Sequence, residues 1–387
     1  MTDKQFAPVH DTSGEKPEAG IVLCLSGGGY RAMMFHAGCL WRLNDAGMLA
    51  KLNRVSSVSG GSIVAGVLGM NWNGLDPRPD GPSAKFQELV ISPIRKIASV
   101  TIDEGAILGG IFLPGSISDH VSDHYDKLLF NGKTLQDLPD DSVPGKTVPR
   151  FVINATNVQS GVLMRFSRPY MRDFRVGQVK NPTLPLAQAV AASSAFPPIL
   201  SPCEIDISRY GLKFEPSDGT EDLNVPPYTE KLVLSDGGVY DNLGLETAWK
   251  RYDTILVSDG GGHYKPEPSP HHDWARHAFR ILDLIDSQVR ALRTRDLIAL
   301  FNMQERKGAF WSIRQDFGVY SKRSALACPF GRTTELAQYP TRLQKMDDEI
   351  QGRLINWGYA VCDASIRTNF VAALEQPAQF PYPVTGV

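Results

Sequence analysis

SSVSGGS, residues 56–62, stands between a short β-branched run and an apolar stretch. A serine-glycine corner after a strand and before a helix has two readings. One is an ordinary turn, since small residues dominate turns. The other is a nucleophile elbow, where a serine is displayed on a sharp, strained strand-to-helix bend. Ser57-Val58-Ser59-Gly60-Gly61 has the G-x-S-x-G shape with serine in the first glycine position. The positions two before and two after the nucleophile come close together and must be small. Ser57 and Gly61 meet that need.

Working outward, IVLCLS (residues 21–26) reads as a buried strand that stops at Gly27-Gly28-Gly29. From Tyr30 to Leu49, apolar residues including Met33, Ala37, Leu40 and Met48 recur at helical spacing. RVSSV is a second strand, and GGSIVAGVLGMNW a mostly buried helix. This order is a βαβα unit and places the chain in the α/β class with a parallel sheet.

Residues 73–150 are less regular. KFQELVISPIRKIASV is helix-like with a break or kink at Pro93, GAILGGIFLPG is glycine-rich and apolar, and ISDHVSDHYDKLLF is an amphipathic helix. This stretch reads as an insertion carrying a cap or a binding surface. RFVINATNVQSGVLMRFSR is strand, turn, strand, and PLAQAVAASSAFPPILSP is a small-residue helix stopped by Pro197-Pro198. KLVLSDGGVYDNLGLETAWK and TILVSDGGG each begin with a strand that ends in glycines. Beyond Gly262 come a long amphipathic helix or helix pair (274–304), a strand in GAFWSIRQDFGVY, and a second long helix. The division expected is a disordered lead-in at 1–19, an α/β core at 20–265, and a mostly helical section at 266–387 packed on that core.

Composition narrows the function classes. Of 387 residues, 42% are hydrophobic and 21% charged, a balance that supports a large packed core. A net charge of −2 lacks the basic excess of a nucleic-acid binder. The polar N-terminus has no secretory h-region, and no apolar run reaches the roughly 18 residues of a spanning helix. A local patch can still meet lipid. Five scattered cysteines without C-x-x-C spacing read as reduced packing residues of a cytoplasmic protein, with neither a disulfide framework nor a zinc site.

Two further motifs carry chemistry. In LSGGGYRAM, three glycines after a strand expose backbone N–H groups at a helix N-terminus, a nest for an oxyanion or a phosphate. Arg31, one turn in, is either an anion-handling or a structural cation. The same glycines fit G-x-G-x-x-A, the dinucleotide fingerprint, which wants an acidic residue ending the second strand. That strand ends at Ser57-Val58-Ser59, and Asp45 falls before it, so the cofactor reading is disfavoured. In LVLSDGG, Asp236 ends a strand and is placed to reach across the carboxyl edge of a parallel sheet. Asp259-Gly260-Gly261-Gly262 repeats that local pattern, so the motif alone does not say which aspartate is catalytic. Ser59, Asp236 and His263 follow the chain order of a Ser-Asp-His hydrolase. Against that triad, only one strand precedes the elbow strand. His271-His272-Asp273 reads as a solvated loop rather than a metal site.

Taken in order, SGGGYRA, SVSGG and SDGGVYDNLGLE resemble the patatin-like phospholipase family over about residues 20–262. LFNGKTLQDLP, INATNVQSG and AVAASSAFPPILSP resemble its middle segments. The resemblance implies a three-layer α/β/α fold with a mainly parallel central sheet and a Ser-Asp dyad without histidine. It makes Ser59 the nucleophile and Asp236 its base, with the amides of Gly27, Gly28 and Gly29 as the oxyanion hole. Arg31, Ser57, Gly61, Gly237 and Gly238 are supporting positions, and Asp259 is structural. The serine at position 57, where the family has glycine, departs from the pattern.

The activity implied is lipid acyl-ester hydrolysis of the phospholipase A or lysophospholipase type, with a phospholipid or lysophospholipid substrate, no metal and no cofactor. A thioesterase or general carboxylesterase would use the same dyad, and a non-catalytic lipid-binding module the same fold. The expected location is cytoplasmic, with peripheral contact at the inner membrane. GAILGGIFLPG is read as an acyl-channel or bilayer-touching segment, or as a buried cap loop. The C-terminal helices leave open a cap, a homo-oligomer contact, a regulatory partner or a small-molecule activator. The basic-apolar stretch ALRTRDLIALFNMQERK is read as a solvated face over the core, with a membrane- or partner-facing helix as the alternative.

Overall fold

The computed structural model describes residues 17–102, 117–145, 147–262 and 264–387. GAILGGIFLPG and His263 lie outside the described residues.

Strand β1 (Glu18–Leu25) leads through the glycines into helix α1 (Gly29–Asp45). Strand β2 (Leu52–Val58) leads through Ser59 into α2 (Gly60–Met70). After α3 (Ser92–Ala98) and α4 (Ile117–Tyr125) come β3 (Arg150–Asn157), β4 (Val162–Phe166), β5 (Tyr170–Asp173) and β6 (Gly177–Lys180). Helix α5 (Leu186–Ser193), β7 (Cys203–Asp206), β8 (Lys231–Asp236), α6 (Gly238–Asp241) and β9 (Tyr252–Asp259) follow. The C-terminal section holds α7 (Trp274–Asn302), β10 (Lys307–Ser312) and α8 (Asp348–Asn369).

Among the described residues, ten strands join one sheet, in the order β10-β9-β1-β2-β3-β4-β5-β6, with β8 also on β3 and β7 on β8. The five from β10 to β3 are parallel. Helices cover both faces of this part, the three-layer arrangement that the resemblance implies. Alternate residues of β1 explain the layering, since side chains of a strand point to opposite faces. Leu23 and Leu25 join the main core with α1 and α2. Val22 and Cys24 point the other way, to Leu243, Ala248 and Leu297 of α7. A strand buried on both faces reads as an unbroken apolar run, which is what IVLCL is.

The 274–304 segment takes the first of its two readings, a single helix of 29 residues. Two differences from the sequence expectations matter. Strand β1 begins at Glu18, inside the stretch read as a lead-in. Strand β8 runs antiparallel to β3, so Asp236 reaches the carboxyl edge of the parallel strands from the opposite direction and not at the end of a parallel strand of its own. The parallel reading extrapolated from the first βαβα unit, whereas β4 turns back as a hairpin on β3 and β8 pairs with β3 from its other side.

The C-terminal section is built into the core. Strand β10 extends the parallel sheet beside β9. Helix α8 lies on α1 almost backbone to backbone. A Cβ on Gly38 would stand 1.9 Å from Ile355 O, and one on Gly358 2.0 Å from Phe35 O. The reciprocal glycines permit that approach, and the buried pair of Arg42 with Asp363 (2.9 Å) fastens it.

Candidate active site

The elbow is strained as a displayed nucleophile requires. Ser59 has φ 52° and ψ −121°, a region costly for any residue with a Cβ. The surroundings over-determine it. Ser59 N–H donates to Ser193 Oγ (3.0 Å), and Ser193 Oγ donates to Asn154 O (2.6 Å). Ser62 Oγ lies 3.0 Å from Ser57 Oγ and 2.9 Å from Ser193 Oγ. Ser57 is therefore a buried member of this hydroxyl cluster, which accounts for serine where glycine was expected. A Cβ on Gly61 would stand 2.5 Å from Leu25 O, and Gly61 N–H donates to Ser26 O (3.2 Å). The elbow is thereby seated on the end of β1.

Asp236 reaches the same place from the opposite direction. Val58 pairs with Asn154 and Asp236 with Ala155, so β2 and β8 end at neighbouring positions of β3. Gly237 is tightly held, because a Cβ there would be 2.3 Å from Asn154 O. Gly238 N–H donates to Asp236 Oδ1 (2.7 Å), and Asp236 Oδ2 has no hydrogen-bond partner among the described residues. The Ser59 hydroxyl is near enough to favour the charged carboxylate.

The two Asp-Gly-Gly copies differ sharply in charge environment. Burial pushes the Asp236 carboxyl up to about 7, aided by the negative charge of Asp286; Gly238 and Ser59 oppose it. Asp259 is fully buried too, but its carboxyl is held below the usual range. Burial acts on it upward, and is outweighed by Arg314 (2.6 Å), Arg290 (3.9 Å) and the Gly261 amide. A base that works near neutral pH needs the first environment, and a structural anion the second.

The glycine loop departs from expectation at one residue. Gly27 N–H is spent on Asn242, on its backbone oxygen (3.1 Å) and its Oδ1 (3.2 Å). It is therefore not a free donor. Gly28 (φ 139°) and Gly29 (φ 60°) hold backbone angles open to glycine, and their amides carry no hydrogen bond among the described residues. Gly60, which received no separate role from the sequence, touches this loop. A Cβ on Gly60 would be 2.2 Å from Gly29 O, and its own amide is equally unengaged.

Arg31 is a clamp. It is almost fully buried, donating from Nε to Gly260 O (3.3 Å) and from Nη1 to Tyr339 O. Burial, with Arg290 close by, pulls its guanidinium down to about 10. Asn242 and Ser193, which steer the loop and the elbow, were missed as functional residues. Both stood inside quoted motifs, DNLG and AASSAF, and only long-range contacts reveal what they do. Among the described residues no cluster of three or more histidine, cysteine or acidic side chains is placed to hold a metal ion, and no helix is long and apolar enough to cross a membrane.

The model of the patatin-like phospholipase family matches residues 23–249, more than half of the chain. The chain belongs to the patatin-like phospholipase family. Among solved structures, it is similar to human GIVD cytosolic phospholipase A2 at 13% identity and TM-score 0.51, over 90% of this chain and 58% of that one. VipD from Legionella pneumophila matches at 15% identity and TM-score 0.34, over 89% of this chain and 66% of that one. The chain thus spans less than two thirds of these relatives' length. No curated protein matches it.

Proposed function

We propose that the protein is a lipid acyl hydrolase of the phospholipase A or lysophospholipase type, acting through a Ser59–Asp236 dyad and an acyl-serine intermediate. The observation that carries this reading is the strained Ser59 beside a buried carboxyl pushed up to about 7, while the second Asp-Gly-Gly aspartate is held low by arginines.

In this mechanism the Asp236 carboxylate takes the proton of Ser59 Oγ as that oxygen attacks the ester carbonyl carbon. The negative charge on the tetrahedral oxygen is met by the amides of Gly28, Gly29 and Gly60. Each well-placed donor contributes about 3 kcal/mol in a water-poor site. Collapse expels the alcohol, which takes the proton from Asp236. Water then attacks acyl-Ser59 with Asp236 as base, which releases the fatty acid and returns a proton to Ser59. Gly27, with Asn242 behind it, positions the loop, and Ser57, Gly61, Gly237 and Gly238 position the two reacting side chains. An apolar substrate suits the exposed Phe196, which follows the Ala195 that accepts from Asp236 N–H, and the exposed Val239 three residues after Asp236.

Fluorophosphonate labelling of wild type and Ser59→Ala, read by intact mass, together with fatty-acid release from phospholipid vesicles, tests the proposal. Labelling that depends on Ser59, with fatty acid released, is the expected result. An unlabelled wild type that releases nothing would overturn it.

A further inference from the structure

Helix α7 is mostly unpartnered. Arg290 and Leu297 are its only buried residues, so its N-terminal half overhangs the core. Trp274 (85% exposed), Phe279, Ile281, Leu282 (52%), Leu284 and Ile285 (50%) all face solvent. At about 100° per residue these six span an arc of about 220°. Arg276, Arg280 and Asp283 occupy much of the remainder, with Arg276 paired to Asp273 (2.6 Å) and Arg280 to Glu267 (2.9 Å).

The overhang borders the site already described. Phe279 meets the exposed Phe196 edge-on at 6.1 Å. Directly after Ile285, Asp286 Oδ1 accepts from Asn242 Nδ2 (3.3 Å), the residue that holds the glycine loop. Phe196 follows Ala195, whose carbonyl accepts from Asp236 N–H (2.9 Å), and exposed Val239 lies three residues after Asp236. Ser59 itself is only 7% exposed, so a long-chain ester must be handed to it directly rather than met in open water.

We infer that residues 274–285 are a lipid-insertion element, which sinks into the surface of a lipid aggregate beside the mouth of the site. The choice of lipid as the occupant rests on the lipid-hydrolase reading above. The width of the apolar arc favours it over a second copy of the chain. A paired helix covers one narrow seam, whereas acyl chains solvate a helix over a broad face. An apolar face bearing tryptophan, phenylalanine and leucine, with arginine on the polar side, is the pattern of helices that lie in a bilayer interface.

The test compares the full chain with an Ile281→Glu/Ile285→Glu double variant and with Trp274→Ala, three exposed positions that touch none of the catalytic machinery. Four quantities are read: co-sedimentation with phosphatidylcholine vesicles containing a minority of phosphatidylglycerol, fatty-acid release from them, hydrolysis of monomeric p-nitrophenyl butyrate, and molar mass in lipid-free solution. The double variant is expected to lose vesicle binding and fatty-acid release together, by about tenfold or more, with Trp274→Ala intermediate. Hydrolysis of the soluble ester stays within about twofold, because the dyad is untouched. Unchanged vesicle binding in the double variant overturns the insertion element. So does a wild-type dimer that the double variant splits without losing vesicle binding, since the face would then be a contact between copies. Wild type that binds vesicles through these residues and hydrolyses neither ester supports the insertion element and overturns the hydrolase reading.

Discussion

Ser59 and Asp236 arrive at one point of the sheet from opposite directions. Val58, just before the serine, pairs with Asn154 of β3, and Asp236 pairs with the next residue, Ala155. Parallel β2 and antiparallel β8 meet nearly end to end along a single neighbour. Their mutual placement is therefore set by backbone hydrogen bonds of a central strand, which is stiffer than any loop.

Ser59→Ala and Asp236→Ala are expected to lower ester hydrolysis by about a thousandfold or more, with circular dichroism unchanged. His263→Ala is expected to retain activity. An active Asp236→Ala enzyme would remove the dyad, and an inactive, folded His263→Ala enzyme would restore the triad.

The pH dependence follows from burial of Asp236. Its carboxyl is raised to about 7, and in the proposed dyad only the carboxylate accepts the serine proton, so kcat/KM is expected to rise with pH and level off above about 7. The sign for stability is the reverse. A carboxyl harder to ionise in the folded state costs stability as pH rises from its unfolded value toward the folded one. Asp236→Asn should therefore melt higher than wild type at pH 8 and level with it at pH 4. Equal melting temperatures at both pH values would contradict the buried carboxyl.

Asp286 adds to that upward push from α7 and also holds Asn242. Asp286→Asn keeps a hydrogen-bonding side chain and deletes the charge. The acidic limb of the rate profile should move to lower pH by a few tenths of a unit, with little change in the plateau. A profile that does not move would mean that Asp286 is screened from Asp236.

Gly60→Ala places a methyl group 2.2 Å from Gly29 O, where backbone must give way. Fluorophosphonate labelling should slow by about a hundredfold or more as the oxyanion donors separate, a loss typical of one misplaced donor. Gly211→Ala, at a positive-φ turn with open space around it, is the control for a glycine change in general. Normal labelling of Gly60→Ala would remove this loop from the oxyanion hole.

Asp363 is fully buried between Arg42 and Arg367 on the contact of α1 with α8. Asp363→Ala leaves two guanidinium groups without their anion and should cost about 3–5 kcal/mol in urea unfolding. A change under about 1 kcal/mol would show that the helix pair tolerates the loss through water.

The elbow, the glycine nest and the Asp-Gly-Gly turn were legible in the sequence, because each is a local event. A strand that ends in small residues before a helix constrains the backbone within a few positions, and the residue types carry their chemistry with them. The first βαβα unit and the candidates Ser59 and Asp236 follow from that. Long-range pairing decided the rest. The direction of β8 depends on its register with β3. Asp236 and Asp259 share a motif and part only through the arginines of α7 and the segment after β10 that surround one of them. Gly27 loses its free amide to Asn242, 215 residues away. Helix α7 has an amphipathic sequence, yet whether its apolar side lies on the core or on solvent is set by where the chain anchors it. Hydrophobic patterning states that a face seeks burial, and only the packed structure shows that on this helix the face is left uncovered.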